Sequence, residues 1–151
     1  MLDLTIDDDV AVPAALARAL RREVARMVRA AARHDGKADY EVALRVTGDA
    51  AMRELNHAWR GKDKPTDVLA FAQREAKAAD AALLGDIVIS LDTARRQARR
   101  GVHAELLHLA SHGLCHLLGY DHRDDAEERI MNARAASLRR EATRTGRVRA
   151  A

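Results

Sequence analysis

The sequence lacks several features that mark particular protein classes. It has one cysteine among 151 residues, which excludes an internal disulfide framework and fits a reducing compartment. Aromatic residues make up only 3% of the chain, so leucine, isoleucine, valine and alanine must build the core. There is no apolar run of about eighteen residues, and the start lacks the basic and apolar pattern of a signal peptide. We therefore expect a soluble, cytoplasmic protein without a membrane segment.

Length and periodicity predict one domain, residues 1–151, of the α+β class. Apolar residues alternate at strand spacing or recur at helical spacing in the order β-α-β-α-β-β-α-α-α. This order predicts a three- to four-stranded mixed sheet packed with helices. The near-continuous apolar run at 83–91 predicts a central strand that is covered on both faces.

Several local details also follow from the sequence. Asp49 and Asp92 are each predicted to cap a helix, the second over residues 93–100. A last helix is predicted from Ala126 to about residue 144, with Ile130, Met131 and Leu138 facing inward. Residues 73–82 are polar and rich in alanine, and we expect a connection there.

The segment HGLCHLLGYDH at residues 112–122 organises the chain. In a helix over about residues 103–118, His112 and His116 stand one turn apart on the same side. Gly119 permits the left-handed residue that ends a helix, and His122 can then return as a third ligand. Three neutral imidazoles with one open position are typical of a catalytic zinc site. The sequence thus predicts one Zn²⁺ per chain, held by His112, His116 and His122.

Three neighbouring residues have other predicted roles. His108 precedes His116 by about 12 Å along the helix axis, so it can pair with His112 but cannot complete a site that uses His116. Cys115 points toward the apolar side of the helix and is predicted to be a small buried hydrophobe. Asp121 has two possible roles: it orients an imidazole, or it is a turn residue.

The histidine spacing resembles the zinc-peptidase pattern H-E-x-x-H-x-x-G-x-x-H, except at one position. The general-base glutamate of the peptidases would fall at position 113, where this chain has Gly113. Either another residue supplies the base, or the reaction needs none beyond water activated by the metal. This departure argues against peptide hydrolysis.

Two basic segments suggest a polyanionic ligand. Arg60, Lys62 and Lys64 lie within five residues of one loop, and arginine suits bidentate contact with a phosphate group. Residues 134–151 carry six arginines against one glutamate, which favours either a nucleic-acid contact by the tail from about residue 140 or a solvated helix end. A metal combined with an arginine suits a phosphodiester, whose oxygens gain charge in the transition state.

Three segments together resemble the YbeY endoribonucleases, which act in rRNA maturation: LNHAWRGKDKPTDVLAF at 55–71, LLGDIVIS at 83–90 and HGLCHLLGYDH at 112–122. The resemblance implies His112, His116 and His122 as zinc ligands, Arg60 as the functional arginine at the RNA, and a small sheet with helices distantly like metallopeptidases. Three departures stand beside it. Serine and proline of the family's VLSFP segment are Ala70 and Ala72 here, the usual aliphatic residue before the first histidine is Ser111, and a common acidic residue is missing near Arg134.

These observations predict a zinc-dependent, single-strand-specific endoribonuclease. The resemblance implies action in 16S rRNA 3′-end maturation and ribosome quality control, with rRNA and the small ribosomal subunit as partners. Arg60 is the predicted catalytic residue, and Arg60, Lys62 and Lys64 are predicted to bind substrate. Two alternatives remain: a zinc metallopeptidase-like hydrolase with a base from elsewhere, and a ribosome-associated binding protein whose zinc is structural. Whether water or the RNA 2′-hydroxyl attacks, and the oligomeric state, stay open.

Overall fold

The computed structural model describes residues 1–73 and 82–144. Its helices and strands follow the predicted order. They are β1 (Leu2–Ile6), α1 (Ala14–His34), β2 (Glu41–Thr47), α2 (Asp49–Arg60), β3 (Val68–Ala72), β4 (Leu83–Ser90), α3 (Leu91–Gln97), α4 (Val102–Leu117) and α5 (Asp125–Thr143). The predicted connection at 73–82 lies almost wholly outside the described residues, as do Arg147 and Arg149 of the basic tail.

The four strands form one mixed sheet in the order β1-β2-β4-β3. β1, β2 and β4 run parallel, and β3 pairs antiparallel with β4. β4 is thus an interior strand, and its apolar run is buried on both faces: Ile87 and Ile89 join the main core, whereas Val88 joins a smaller cluster with Met52 and Leu69. The α+β prediction with a mixed sheet and a central strand at 83–91 is confirmed.

Helix α4 lies at the centre of the helical layer. It packs against β3 and β4 on one side and against α1 and α5 on another. Nine of its residues are buried, most of them leucine and alanine. Because a helix buried on this scale is held by its apolar side, the remaining side of α4 is fixed in direction.

Two predicted helix caps are wrong, and the reason is tertiary. α2 begins at Asp49 itself, and the backbone N–H of Asp49 donates to the Asp92 carboxylate at 2.8 Å. α3 covers Leu91–Gln97 rather than residues 93–100, and its cap is Ser90, whose Oγ accepts from the N–H of Thr93 at 3.3 Å. Asp92 therefore serves the start of α2, a helix that lies far from it in sequence.

In α5, Met131 and Leu138 are buried as predicted, but Ile130 is 60% exposed, so its predicted inward position is wrong. The buried side of α5 consists of Met131, Ala135, Leu138 and Ala142. Two alanines on this side allow close helix packing, and Ile130 falls outside it. No helix in the described ranges is long and apolar enough to cross a membrane.

Candidate active site

A cavity of about 730 Å³ lies beside α4 and brings most of the predicted site residues together. It is lined by Arg60, His112, His116, Asp121 and His122, among others. These residues come from the end of α2, from α4 and from the turn after α4. Lys62 and Lys64 are exposed and are not part of the cavity wall.

Close packing of α4 on the sheet directs its histidines into this cavity. Gly113 is buried, and a Cβ atom at this position would lie 2.7 Å from Cγ2 of Ile87 on β4. Such a distance is below any normal contact, so a side chain at 113 would push the helix away from the sheet. Gly113 thus lies directly against β4, and His112 and His116 border the cavity.

The turn after α4 returns the chain to the same cavity. Gly119 has φ of 101°, in the left-handed region that favours glycine. Its N–H donates to the carbonyl oxygen of His116 at 3.1 Å, and the N–H of Tyr120 donates to that of Cys115 at 3.0 Å, the two bonds of a Schellman motif. His122 then lies with its ring centroid 5.3 Å from that of His116. The predicted reversal is confirmed.

The environment of His112 and His116 keeps their imidazoles neutral at neutral pH. Burial, together with the charges of His108, Arg139 and His116, lowers the pKa of His112 to about 4. Burial also lowers the pKa of His116, with a contribution from His122. Because a histidine must be deprotonated to bind a metal, these two side chains are already in the form that a ligand requires.

The histidine rings pair with each other in the positions that they occupy. His108 packs edge to face on His112 with ring centroids 4.4 Å apart, and His116 packs in the same way on His122. In residues 1–73 and 82–144, no group of three or more histidine, cysteine, aspartate or glutamate side chains is arranged to hold a metal ion. The donor types fit a divalent zinc ion, whereas the ligand set of His112, His116 and His122 stays a prediction.

Arg60 ends α2 at the mouth of the charged loop. Gly61 caps the helix in the left-handed conformation, with φ of 69°, and its N–H donates to the carbonyl oxygen of His57 at 3.0 Å. The buried Asn56 holds the loop by donating to the carbonyl oxygen of Lys64 at 2.8 Å. These bonds fix the backbone on both sides of Arg60, which therefore reaches the cavity from a defined position.

Two acidic residues line the cavity, and both carboxylates are occupied by neighbouring groups. Asp67, for which no role was predicted, accepts from the N–H of Val68 at 2.7 Å and from Gln97 Nε2 at 2.9 Å. Its position in a charged loop directly before a strand was the signal available. Asp121 accepts from the backbone N–H of His122 at 2.8 Å, a contact typical of a turn residue; the orientation of an imidazole by Asp121 stays a prediction.

Cys115 is fully buried, as predicted. Burial raises the pKa of its thiol to about 11, so it stays protonated at neutral pH. A metal-ligating cysteine is a thiolate, and Cys115 is therefore a packing residue.

The comparison with known families agrees with this arrangement. The family model described as endoribonuclease YbeY matches residues 7–142, which include Arg60 and all three predicted ligands. The chain belongs to the YbeY endoribonuclease family.

Relatives that carry the name endoribonuclease YbeY match much of the chain. One from Anaeromyxobacter sp. (strain Fw109-5) is 51% identical over 108 residues, covering 70% of this chain and 56% of the relative. One from Anaeromyxobacter dehalogenans is 46% identical over 127 residues, covering 82% and 63%. One from Synechococcus sp. (strain RCC307) is 52% identical over 110 residues, covering 68% and 69%. The match thus spans less than two thirds of the length of the two Anaeromyxobacter proteins.

A solved structure has the same fold. The solution structure of TM1509 from Thermotoga maritima matches with a TM-score of 0.64, covering 99% of this chain and 93% of that one. The two sequences are 24% identical, so this likeness concerns the fold alone. A small mixed sheet with helices is therefore shared by both chains.

Proposed function

We propose that this chain is a zinc-dependent, single-strand-specific endoribonuclease of 16S rRNA 3′-end maturation and ribosome quality control. The substrate would be rRNA in a cytoplasmic precursor of the small ribosomal subunit. The observation that carries the proposal is the shared cavity, which the three predicted ligands and Arg60 line together in a member of the YbeY family. A phosphodiester needs such a combination of a metal site and a fixed cation.

In this proposal, His112, His116 and His122 hold one zinc ion. The neutral imidazoles of His112 and His116 suit zinc with an open position. When bound, zinc supplies Lewis acidity that polarises a phosphate oxygen and activates water. Arg60 binds the scissile phosphate through its planar guanidinium group.

Peptide hydrolysis is less well supported, because the chain has glycine where the peptidases have their general base. A glutamate at position 113 would have its Cβ 2.7 Å from Ile87. Asp67 and Asp121 are the carboxylates among the described residues that line the cavity, and they already accept hydrogen bonds from Gln97 and from the backbone of His122.

The test is cleavage of single-stranded, double-stranded and ribosomal RNA by metal-stripped and zinc-restored protein, with His116→Ala as the inactive control. We expect cleavage of single strands that returns with zinc and is absent in the variant. End-group analysis separates the two attack routes, since attack by the 2′-hydroxyl leaves a cyclic phosphate. Zinc binding without any RNA cleavage would refute the proposal and favour a ribosome-associated binding protein.

A further inference from the structure

A second concave surface adjoins the candidate active site. It has a volume of about 630 Å³ and is bordered by the segment after α3, by α4 and by α5. We call this surface the arginine groove, because four arginines line it: Arg99, Arg100, Arg139 and Arg140. Among the described residues, Glu105 is the one carboxylate in its wall, and it accepts from Gln97 Nε2 at 2.9 Å rather than from an arginine.

The positive charges of these arginines are not neutralised by carboxylates of the described residues. Within residues 1–73 and 82–144, none of the four forms an ion pair within 4.0 Å. Arg139 is partly buried and donates from Nη1 to the Oγ of Ser111 at 2.7 Å. That bond uses one of the five N–H donors of a guanidinium group, so the side chain is held in place with donors left for a ligand.

Burial also lowers the pKa of Arg139, with Arg140 adding a like charge. A guanidinium group in this position remains protonated at neutral pH. The group is partly shielded from water and has no carboxylate within ion-pair distance among the described residues. An anionic ligand would supply the missing counter-charge.

The groove and the active-site cavity share a wall. His108 lines both of them, and it stands one helical turn before the predicted ligand His112, with their rings in edge-to-face contact. A ligand that leaves the cavity over His108 therefore enters the arginine groove.

We propose that the arginine groove binds the sugar-phosphate backbone of the substrate strand next to the phosphate that is cut. This inference rests on the proposed function, since it takes the same RNA strand as its ligand. A strand carries one phosphate per nucleotide, and the groove offers four guanidinium groups, a side chain that can form two parallel hydrogen bonds with a phosphate. An acidic protein segment fits less well, because protein interfaces rely on aromatic and apolar anchors, and the apolar wall here is limited to Ala104, Leu107 and Ala136.

The test compares the double variant Arg99→Ala/Arg100→Ala with the parent. The matched control is Arg21→Ala/Arg22→Ala, which removes an adjacent pair of exposed arginines from α1, away from both cavities. Arg99 and Arg100 are both exposed, so the double variant should fold, and its thermal midpoint checks this. Arg140→Ala, also at an exposed position, provides a second variant.

The measurement is fluorescence anisotropy of a labelled single-stranded RNA over a range of salt concentrations. Each phosphate contact to a single strand contributes about 0.7 to the slope of log K against log salt concentration. Loss of two contacts should lower the slope by about 1.4, which corresponds to roughly 25-fold weaker binding at about 0.1 M salt. The control variant should keep the slope of the parent.

A slope in the groove variant equal to that of the parent would overturn the inference. So would unchanged RNA binding together with loss of binding to a poly-glutamate peptide, which would assign the groove to an acidic protein. Failure of the proposed function looks different: the parent would bind RNA with a slope that depends on the groove, but would not cleave it in the presence of zinc.

Discussion

Gly113 offers a sharp test of how the site is positioned, because its replacement by alanine has two opposing effects. Alanine is favoured over glycine inside a helix by about 1 kcal/mol. The new Cβ, however, would lie 2.7 Å from Cγ2, 3.2 Å from Cγ1 and 3.3 Å from Cδ1 of Ile87. Overpacking of a dense core costs about 1–3 kcal/mol. We therefore expect Gly113→Ala to be neutral or to destabilise the fold by up to about 2 kcal/mol.

The sign should reverse when the obstacle is removed. Ile87→Ala alone leaves a cavity and costs about 2–5 kcal/mol. In that background the Cβ of Gly113→Ala has room, so only the helix preference remains and the second substitution should stabilise by about 1 kcal/mol. The two substitutions should therefore be coupled by about 1–3 kcal/mol, within the range for residues in contact.

Urea unfolding of the four proteins in this cycle measures the coupling directly, with all of them prepared in the same metal state. Gly85 is unsuitable as a control, because a Cβ atom there would lie 2.1 Å from the carbonyl oxygen of Phe71. Gly36 is the better control, since nothing lies within 4 Å of its Cβ position. Its φ of 69° makes Gly36→Ala costly by itself, but that cost should be the same with isoleucine or alanine at position 87, so Gly36→Ala should show no coupling to Ile87→Ala. A stabilising Gly113→Ala in the parent, or additive energies in the cycle, would refute close packing as the reason for glycine at this position.

Three further predictions concern the site and its support. Arg60→Ala should slow single-turnover RNA cleavage by about ten- to a hundredfold, since a charged hydrogen bond is worth about 1.5–3 kcal/mol, with zinc content and thermal midpoint unchanged; Arg60→Lys should recover part of the rate, and equal rates for parent and Arg60→Ala would direct attention to Lys62 and Lys64. His116→Ala should lose most of the zinc measured by elemental analysis, whereas His108→Ala should keep it; the reverse result would mean that the ligand set is wrong. Burial favours a higher pKa for Asp49, but hydrogen bonds from Arg96, Thr93 and Ser90 outweigh it and lower the pKa to about 2. The ionised Asp49 therefore stabilises the fold above about pH 4 by an amount on the order of 2 kcal/mol, which is lost as the pH falls toward 2. The acid-unfolding profile of Asp49→Asn should lack this loss of stability.

The fold was largely predictable because its elements carry strong periodic patterns. The run at 83–91 predicts an interior strand, and β4 is one: it pairs with a strand on each side, and four consecutive residues from Ile87 are buried. The histidine spacing and Gly119 predict a helix and a reversal, and both depend on local backbone preferences that a sequence records directly. At these positions the backbone conformation that the local sequence favours is also the one that the tertiary packing requires.

The two wrong helix caps depend on partners that are distant in the chain. Asp49 and Asp92 are good capping residues, but Asp92 accepts from the N–H of Asp49, and Asp49 accepts from the hydroxyl groups of Ser90 and Thr93 at 2.7 Å. Sequence rules pair a capping side chain with its own helix, whereas here each aspartate serves the other helix. Asp67 was missed for the same reason, because its neighbours Gln97 and His112 come together only in the fold.

The departures from the YbeY pattern acquire a meaning in the same way. Where the family usually has an aliphatic residue, Ser111 accepts a hydrogen bond from Arg139 at 2.7 Å and donates one to the carbonyl oxygen of His108 at 2.7 Å. An aliphatic side chain at 111 would leave the partly buried Arg139 without this acceptor, at a cost of about 1–3 kcal/mol for the unsatisfied group. Serine at 111 therefore supports the position of arginine at 139. Together they hold a guanidinium group of α5 against the turn of α4 that carries His108, the residue shared by the active-site cavity and the arginine groove.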